Sequence, residues 1–212
     1  MSRPLPQARL VGLGLGGAVL AAALWWRRHP SACPYGQRFW VQAPHPFITR
    51  SRLRIMLAPR SGERVLEVGP GTGYYTLDIA ECVSPGGRLD IFDLQQEMLD
   101  HTMRRARERG LNTITARQGD ARSLPYPNET FDAAYLTTAL GEIPSQGAAL
   151  RELARVLKPG GRLVVGELFG DPHWVSPKKL RRVAEAAGLQ FVRRSGTPLG
   201  YFALFTLTRL SS

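Results

Sequence analysis

The first 62 residues contain no acidic side chain, yet they hold nine arginines: Arg3, Arg9, Arg27, Arg28, Arg38, Arg50, Arg52, Arg54 and Arg60. From Glu63 onward, 19 basic residues meet 17 acidic ones, so nearly all of the net charge of +11 belongs to the N-terminal arm. A basic arm on an almost neutral body suits an anionic membrane surface or nucleic acid. Cysteine is equally scarce. Cys33 and Cys82 are the only two, which gives neither a disulfide framework nor a metal-ligand spacing and fits a reducing compartment. No internal repeat is present, which removes solenoid and propeller architectures. The length of 212 residues suffices for one domain with a sizeable core plus a short appendage.

The most informative stretch is VLEVGPGTG, Val65 to Gly73. A short apolar run reads as a buried strand, three glycines follow at alternate positions (Gly69, Gly71, Gly73), and a helical pattern runs from Tyr74 to about Val83. Glycines between a strand and a helix let the backbone approach a ligand where a Cβ would clash. The helix start behind them offers free N–H groups and a positive dipole end. The dinucleotide fingerprint is G-x-G-x-x-G, but here the spacing is G-x-G-x-G, with Tyr74 where the third fingerprint glycine would stand. A glycine-rich turn without a ligand is the plain alternative.

Strand and helix signals then alternate. Pro85-Gly86-Gly87 is a turn, Arg88 to Phe92 a second strand closed by Asp93, and Gln96 to Arg109 a helix capped by Gly110. Thr113 to Arg117 is a third strand, with Gly119-Asp120-Ala121 behind it, and LPYPNETFD leads into a fourth strand, Asp132 to Thr137. Ala148 to Leu157 is an amphipathic helix, and KPGGRLVVGE, Lys158 to Glu167, is a turn and a fifth strand. Ser176 caps a helix that Pro177 starts and Gly188 ends. Leu189 to Arg194 and Tyr201 to Leu207 are strands six and seven, joined through Gly196 to Gly200 as a hairpin. The expected fold is α/β: a Rossmann-like, doubly wound, mostly parallel seven-stranded sheet ending in an antiparallel hairpin.

With Glu67 two residues before the first glycine, the loop resembles the first motif of the class I S-adenosylmethionine-dependent methyltransferases, E/D-x-G-x-G-x-G. Leu124 to Asp132 and the LKPGG before the fifth strand resemble the same family; the body of the chain resembles its ubiquinone/menaquinone and phospholipid methyltransferases, though no motif selects one. The resemblance covers about Val65 to Leu207. It implies S-adenosylmethionine as cofactor, held by Glu67, Gly69, Gly71, Gly73, Asp93, Leu94, Asp120 and Ala121. Asp93 would take the ribose hydroxyls, Asp120 the adenine amino group and the Ala121 N–H a ring nitrogen. A nicotinamide enzyme would use Asp93 in the same way, so that residue alone does not discriminate. Many family members carry histidines or aromatics after the fourth strand; here Ala139, Leu140, Gly141 and Glu142 stand instead. Candidate proton acceptors near the strand ends are Glu142, Glu167, Asp171 and His173, each with a structural role as the competing reading.

Leu10 to Trp26, LVGLGLGGAVLAAALWW, carries no charge over 17 residues. As a helix it would be about 25 Å long, the short end of what spans a bilayer. Trp25-Trp26 followed by Arg27-Arg28 gives an aromatic belt and then cations. A single-pass anchor with the catalytic domain in the cytoplasm is the expectation; a cleaved signal peptide and a hydrophobic helix docked on the domain are the alternatives. Three segments follow: 1–29 an anchor, 30–60 a basic and aromatic linker or lid, 61–212 the cofactor-binding domain. A tethered enzyme meets hydrophobic or lipid-like acceptors. A nucleic-acid or protein methyltransferase is the second reading, disfavoured by the apolar run, and a nicotinamide-dependent reductase or a nucleotide-binding module the third.

Overall fold

The computed structural model describes residues 31–37 and 45–207. The apolar run 10–26 and most of the arm lie outside the described residues; among those described, no helix is long and apolar enough to cross a membrane.

Seven strands form one sheet: β1 Arg64–Val68, β2 Arg88–Asp93, β3 Ile114–Gln118, β4 Phe131–Thr137, β5 Leu157–Leu168, β6 Leu189–Thr197 and β7 Gly200–Leu207. Their order is β3-β2-β1-β4-β5-β7-β6. The first five are parallel, whereas β7 runs antiparallel between β5 and β6. The order reverses between β1 and β4, and at such a switch point the carboxyl ends of the strands leave a crevice. The doubly wound sheet with its terminal hairpin is as the sequence predicts.

Among the described residues, five α-helices cover the sheet. On one face lie α1 Arg50–Leu57, α2 Thr76–Val83 and α3 Gln96–Glu108, and on the other α4 Gln146–Val156 and α5 Pro177–Glu185. Strand parity sorts the core between them. On β4, Ala133 and Tyr135 pack with Leu53, Leu77 and Leu99, while Ala134 and Leu136 pack with Leu150 and Leu180. Two helix starts are capped by side chains, and the one at Ser176 is as the sequence anticipates. Thr49 Oγ1 accepts the Arg52 N–H at 3.3 Å ahead of α1, and Ser176 Oγ accepts the Lys179 N–H at 3.3 Å ahead of α5, with Pro177 in the first turn. Each such cap is worth about 1 kcal/mol.

Three boundaries differ from the sequence expectation. The helix after the glycine loop begins at Thr76 rather than Tyr74, because Gly71 and Gly73 are both left-handed (φ +54° and +81°) and the chain regains helical geometry only after them. Lys158-Pro159-Gly160-Gly161 is not a turn ahead of β5 but a bulge within it: Phe131 pairs with Leu157 and Ala133 with Arg162. The hairpin strands run on to Thr197 and from Gly200, leaving Pro198 and Leu199 as a tight connection.

Candidate active site

A cavity of about 310 Å³ opens at the carboxyl ends of β1, β2, β3 and β4. Its floor is the glycine loop. Gly69, Gly71 and Gly73 all have positive φ (+73°, +54° and +81°), a backbone that L side chains rarely adopt. A Cβ on Gly69 would stand 2.5 Å from the Ala139 Cβ at the end of β4, and one on Gly73 would stand 2.9 Å from Thr102 Cγ2 on α3. The loop is thus pressed between the end of β4 and α3, with Gly69 and Gly71 facing the cavity and Gly73 turned to α3.

Asp93 ends β2 in the cavity wall. Its Oδ1 accepts the Gln95 N–H at 2.9 Å. Burial raises its carboxyl to about 6, against the backbone N–H groups of Gln95, Leu94 and Gly71, which pull it down. Val68, Phe92, Leu94, Met98, Ala121 and Ile143 make the wall largely apolar. Asp120 lines the cavity too, but its oxygens already hold the Arg122 guanidinium (Nε–Oδ2 2.9 Å, Nη2–Oδ2 2.5 Å). That pair keeps its carboxyl below the usual range. With the Arg122 N–H and Nε also on Oδ1 (2.9 and 3.0 Å), all four acceptor positions of the carboxylate are engaged, so an amino donor would have to displace part of this pair.

Of the eight residues assigned to the cofactor from sequence, six line the cavity: Gly69, Gly71, Asp93, Leu94, Asp120 and Ala121. Glu67 and Gly73 do not. Strand parity turns the Glu67 side chain to the same face as Val65, beneath α2, where its Oε2 accepts the Thr76 hydroxyl at 2.6 Å. There, burial raises it to about 7, the Thr76 hydroxyl opposing the rise. Glu67 therefore supports the loop from behind.

The four proton-acceptor candidates separate in the same way. Only Glu142, in the single helical turn Leu140–Glu142 after β4, lines the cavity. Burial raises it to about 8, with Asp171 and Asp93 adding to the rise and the Cys33 N–H opposing it. Glu167 lies inside the fold on β5, its Oε2 accepting the Val175 N–H at 3.0 Å. Asp171 Oδ1 accepts the His173 N–H at 2.7 Å, and His173 borders a separate recess with Gly141, Trp174 and Lys179. Among the described residues no cluster of three or more His, Cys, Asp or Glu is placed to hold a metal ion.

Sequence reasoning missed two parts of the site. The first is a strap at residues 31–35. Ser31, Ala32 and Cys33 lie against the cavity. The Gln95 carboxamide grips the strap twice, donating from Nε2 to the Cys33 carbonyl at 2.9 Å and accepting the Tyr35 N–H on Oε1 at 3.2 Å. Glu142 Oε2 accepts the Cys33 N–H at 3.1 Å. The proline- and aromatic-rich composition signalled a linker or lid, but nothing signalled Gln95 as its anchor. The second is Thr138, a β-branched residue at φ +53° in the cavity wall. Its N–H donates to the Gly166 carbonyl at 2.8 Å, holding a conformation that costs on the order of 1–3 kcal/mol. No sequence signal marks it.

A switch-point cavity, a left-handed glycine floor and an acid at the end of β2 define a nucleoside-binding α/β enzyme site. Residues 65–161 match the family model described as a methyltransferase domain. Over 115 residues the chain is 38% identical to the ubiquinone/menaquinone biosynthesis C-methyltransferase UbiE of Cellvibrio japonicus, covering 54% of this chain and 46% of that protein. An S-adenosylmethionine-dependent methyltransferase from Aquifex aeolicus has the same fold (TM-score 0.77, 19% identity, 84% of this chain and all of that one). The [4+2]-cyclase SpnF matches at TM-score 0.64 and 30% identity, over 69% of this chain and 57% of that one. The chain thus resembles methyltransferases in sequence over residues 65–161, and in fold it resembles an enzyme that depends on S-adenosylmethionine as cofactor. It spans about half the length of the curated relatives it matches.

The cavity fits that cofactor. A Cβ-free floor admits close backbone approach, Asp93 presents carboxylate oxygens at the wall, and apolar side chains flank a space suited to a purine.

Proposed function

We propose that the chain methylates a hydrophobic, quinone-like ring acceptor at a membrane. The observation that carries the reading is Glu142: a carboxyl raised to about 8 stands in an apolar-walled cofactor cavity. S-adenosylmethionine supplies a methyl group on a positively charged sulfur, open to in-line displacement. Asp93 accepts hydrogen bonds from its hydroxyl groups, and the Gly69–Gly71 backbone accommodates the chain of the cofactor. The strap and the apolar wall keep water from the reacting atoms, so that positioning supplies much of the rate. Near neutral pH Glu142 interconverts readily between acid and carboxylate, and its carboxylate takes the proton that a ring carbon or hydroxyl acceptor must lose. Glu167 and His173 have no part in this step.

The acceptor class is supported by the UbiE relative, a ubiquinone/menaquinone biosynthesis C-methyltransferase, and by the apolar wall. In this reading residues 1–29 anchor the chain, 30–60 link and cover, 61–212 catalyse, and the arginines after the run keep the domain on the cytoplasmic side.

The test is full-length protein in detergent with radiolabelled-methyl S-adenosylmethionine and a short-chain demethylated quinone. Label in the quinone fraction is expected, with Glu142→Gln lowering kcat about 100-fold while the cofactor Kd moves less than threefold. Bound cofactor with no labelled quinone would sink the acceptor assignment and favour a role such as that of the cyclase neighbour, in which this fold serves another chemistry.

A further inference from the structure

Five large apolar side chains stand exposed among the described residues, and three of them share one end of the molecule. Leu94 (57% exposed) follows β2, Phe169 (58%) follows β5 and Leu199 (46%) sits in the turn between β6 and β7. Because β7 runs against β5, its first residues lie at the carboxyl end of β5. All three therefore surround the end at which the cavity opens. The Phe169 N–H donates to the Leu199 carbonyl at 2.9 Å, which holds these two side chains on adjoining loops, and Trp174 packs edge-on against the Phe169 ring at 5.4 Å. Exposed cations stand at the same end of the fold, one group on each face of the sheet: Arg50 opens α1, whose lead-in residues Phe47 and Ile48 lie against Gly200, and Lys178 and Lys179 open α5. Of the acids at this end, Glu167 is buried beneath Val175, and Asp171 is partly buried and engaged by the His173 N–H.

Chain length fixes what this end can face. The uncharged run ends at Trp26, and Ser31 already borders the cavity. Five residues span at most about 18 Å when fully extended. Wherever the run enters a bilayer, the mouth of the cavity lies within that distance of the point of entry.

We propose that the loops bearing Leu94, Phe169 and Leu199 form a docking surface for a lipid bilayer with anionic headgroups, so that the acceptor passes from the membrane into the cavity without crossing water. Apolar and aromatic side chains ringed by lysine and arginine are the composition of an interfacial contact. The inference rests on the membrane reading above, but its test needs no catalysis.

Full-length chain, with Cys33 and Cys82 replaced by Ser, carries one environment-sensitive fluorophore at Leu199→Cys, or in a second variant at Phe169→Cys. The reference label is at Glu108→Cys, at the far end of α3. The protein is reconstituted in vesicles of equal phosphatidylglycerol and phosphatidylcholine, a fraction of the latter bearing a nitroxide on the acyl chain. At least twofold stronger quenching at positions 199 and 169 than at 108 is expected. Equal quenching at all three positions, in protein that floats with the vesicles, overturns the docking surface and leaves the membrane reading intact. A label at 199 that is shielded without lipid and unquenched with it assigns the face to residues 10–26 or to a second copy, and also overturns it. Protein that fails to float overturns the membrane reading and the docking surface together.

Discussion

The two halves of the cavity are built by different means. The cofactor half is made of backbone geometry and two acids: three left-handed glycines, then Asp93 at the end of β2 and Asp120 beyond the end of β3. The half that the proposed function gives to the acceptor is made of loops whose side chains reach across the chain, with the strap at 31–35 held by Gln95 and Glu142. The first half tolerates almost no added atom, because its neighbours lie 2.5 to 2.9 Å from where a Cβ would stand. The second is closed by four hydrogen bonds, the Tyr35 hydroxyl to His101 Nδ1 among them, each of which contributes about 1 kcal/mol. Rigid construction suits a cofactor of fixed shape, and looser construction suits a roof that must admit substrate and release product.

The contrast breaks first at the glycines. Gly69→Ala places a Cβ on Ala139 at φ +73°, whereas Gly110→Ala, at φ +68°, meets open space. Urea unfolding should show a loss of about 3 kcal/mol for the former and about 1 kcal/mol for the latter. Equal losses would mean that the floor is not packed as described. Next comes Asp93→Ala. Calorimetric titration should show S-adenosylmethionine binding weakened about 100-fold, equivalent to about 2.7 kcal/mol, with the melting temperature little changed. On the acceptor side Gln95→Ala frees the strap at two points, and a KM rise of about fivefold to tenfold is expected with the fold intact. A change as large as that at Asp93 would mean that the halves are not separable.

The smallest effect concerns pH. Glu67, Asp93, Glu142 and Glu167 are raised by burial to about 7, 6, 8 and 8. Between about pH 5 and 8 the folded chain therefore keeps protons that the unfolded chain has released. Their contribution to stability is fully present below the ordinary carboxylate range and is lost as pH rises through these values. The cofactor-free protein should melt lower at pH 8.5 than at pH 5.5. Glu167→Gln keeps an acceptor for the Val175 N–H and should reduce that difference by roughly 3 °C in calorimetric scans.

The cofactor half was legible in the sequence because its constraints are local. Three glycines at alternate positions and an acid closing the next strand need only the chain's own order to be read. Even there the pattern misled at Glu67, since an acid two residues before a glycine carries no sign of which face of the strand it takes; parity with Val65 decides that. The acceptor half was not legible because its bonds join residues 60 to 109 positions apart, as between Tyr35 and Gln95 or Cys33 and Glu142. Four acids and histidines near the strand ends looked equivalent in sequence. Only the packing of β5 and the turn after β4 separates Glu142 from Glu167 and His173.

The strap also bears on how freely such proteins diverge. Three of its ties, at Cys33 and the Tyr35 N–H, are made by main-chain N–H and C=O groups to side chains of the domain beneath, and one is made by its own Tyr35 hydroxyl to His101 Nδ1 at 3.1 Å. Any residue except proline presents the same N–H. Selection for closure therefore falls on Gln95, Glu142 and the Tyr35–His101 pair, and the strap is left to vary in its other side chains. A lineage can retune which acceptors pass beneath it by drift in a few exposed positions, without re-evolving the latch.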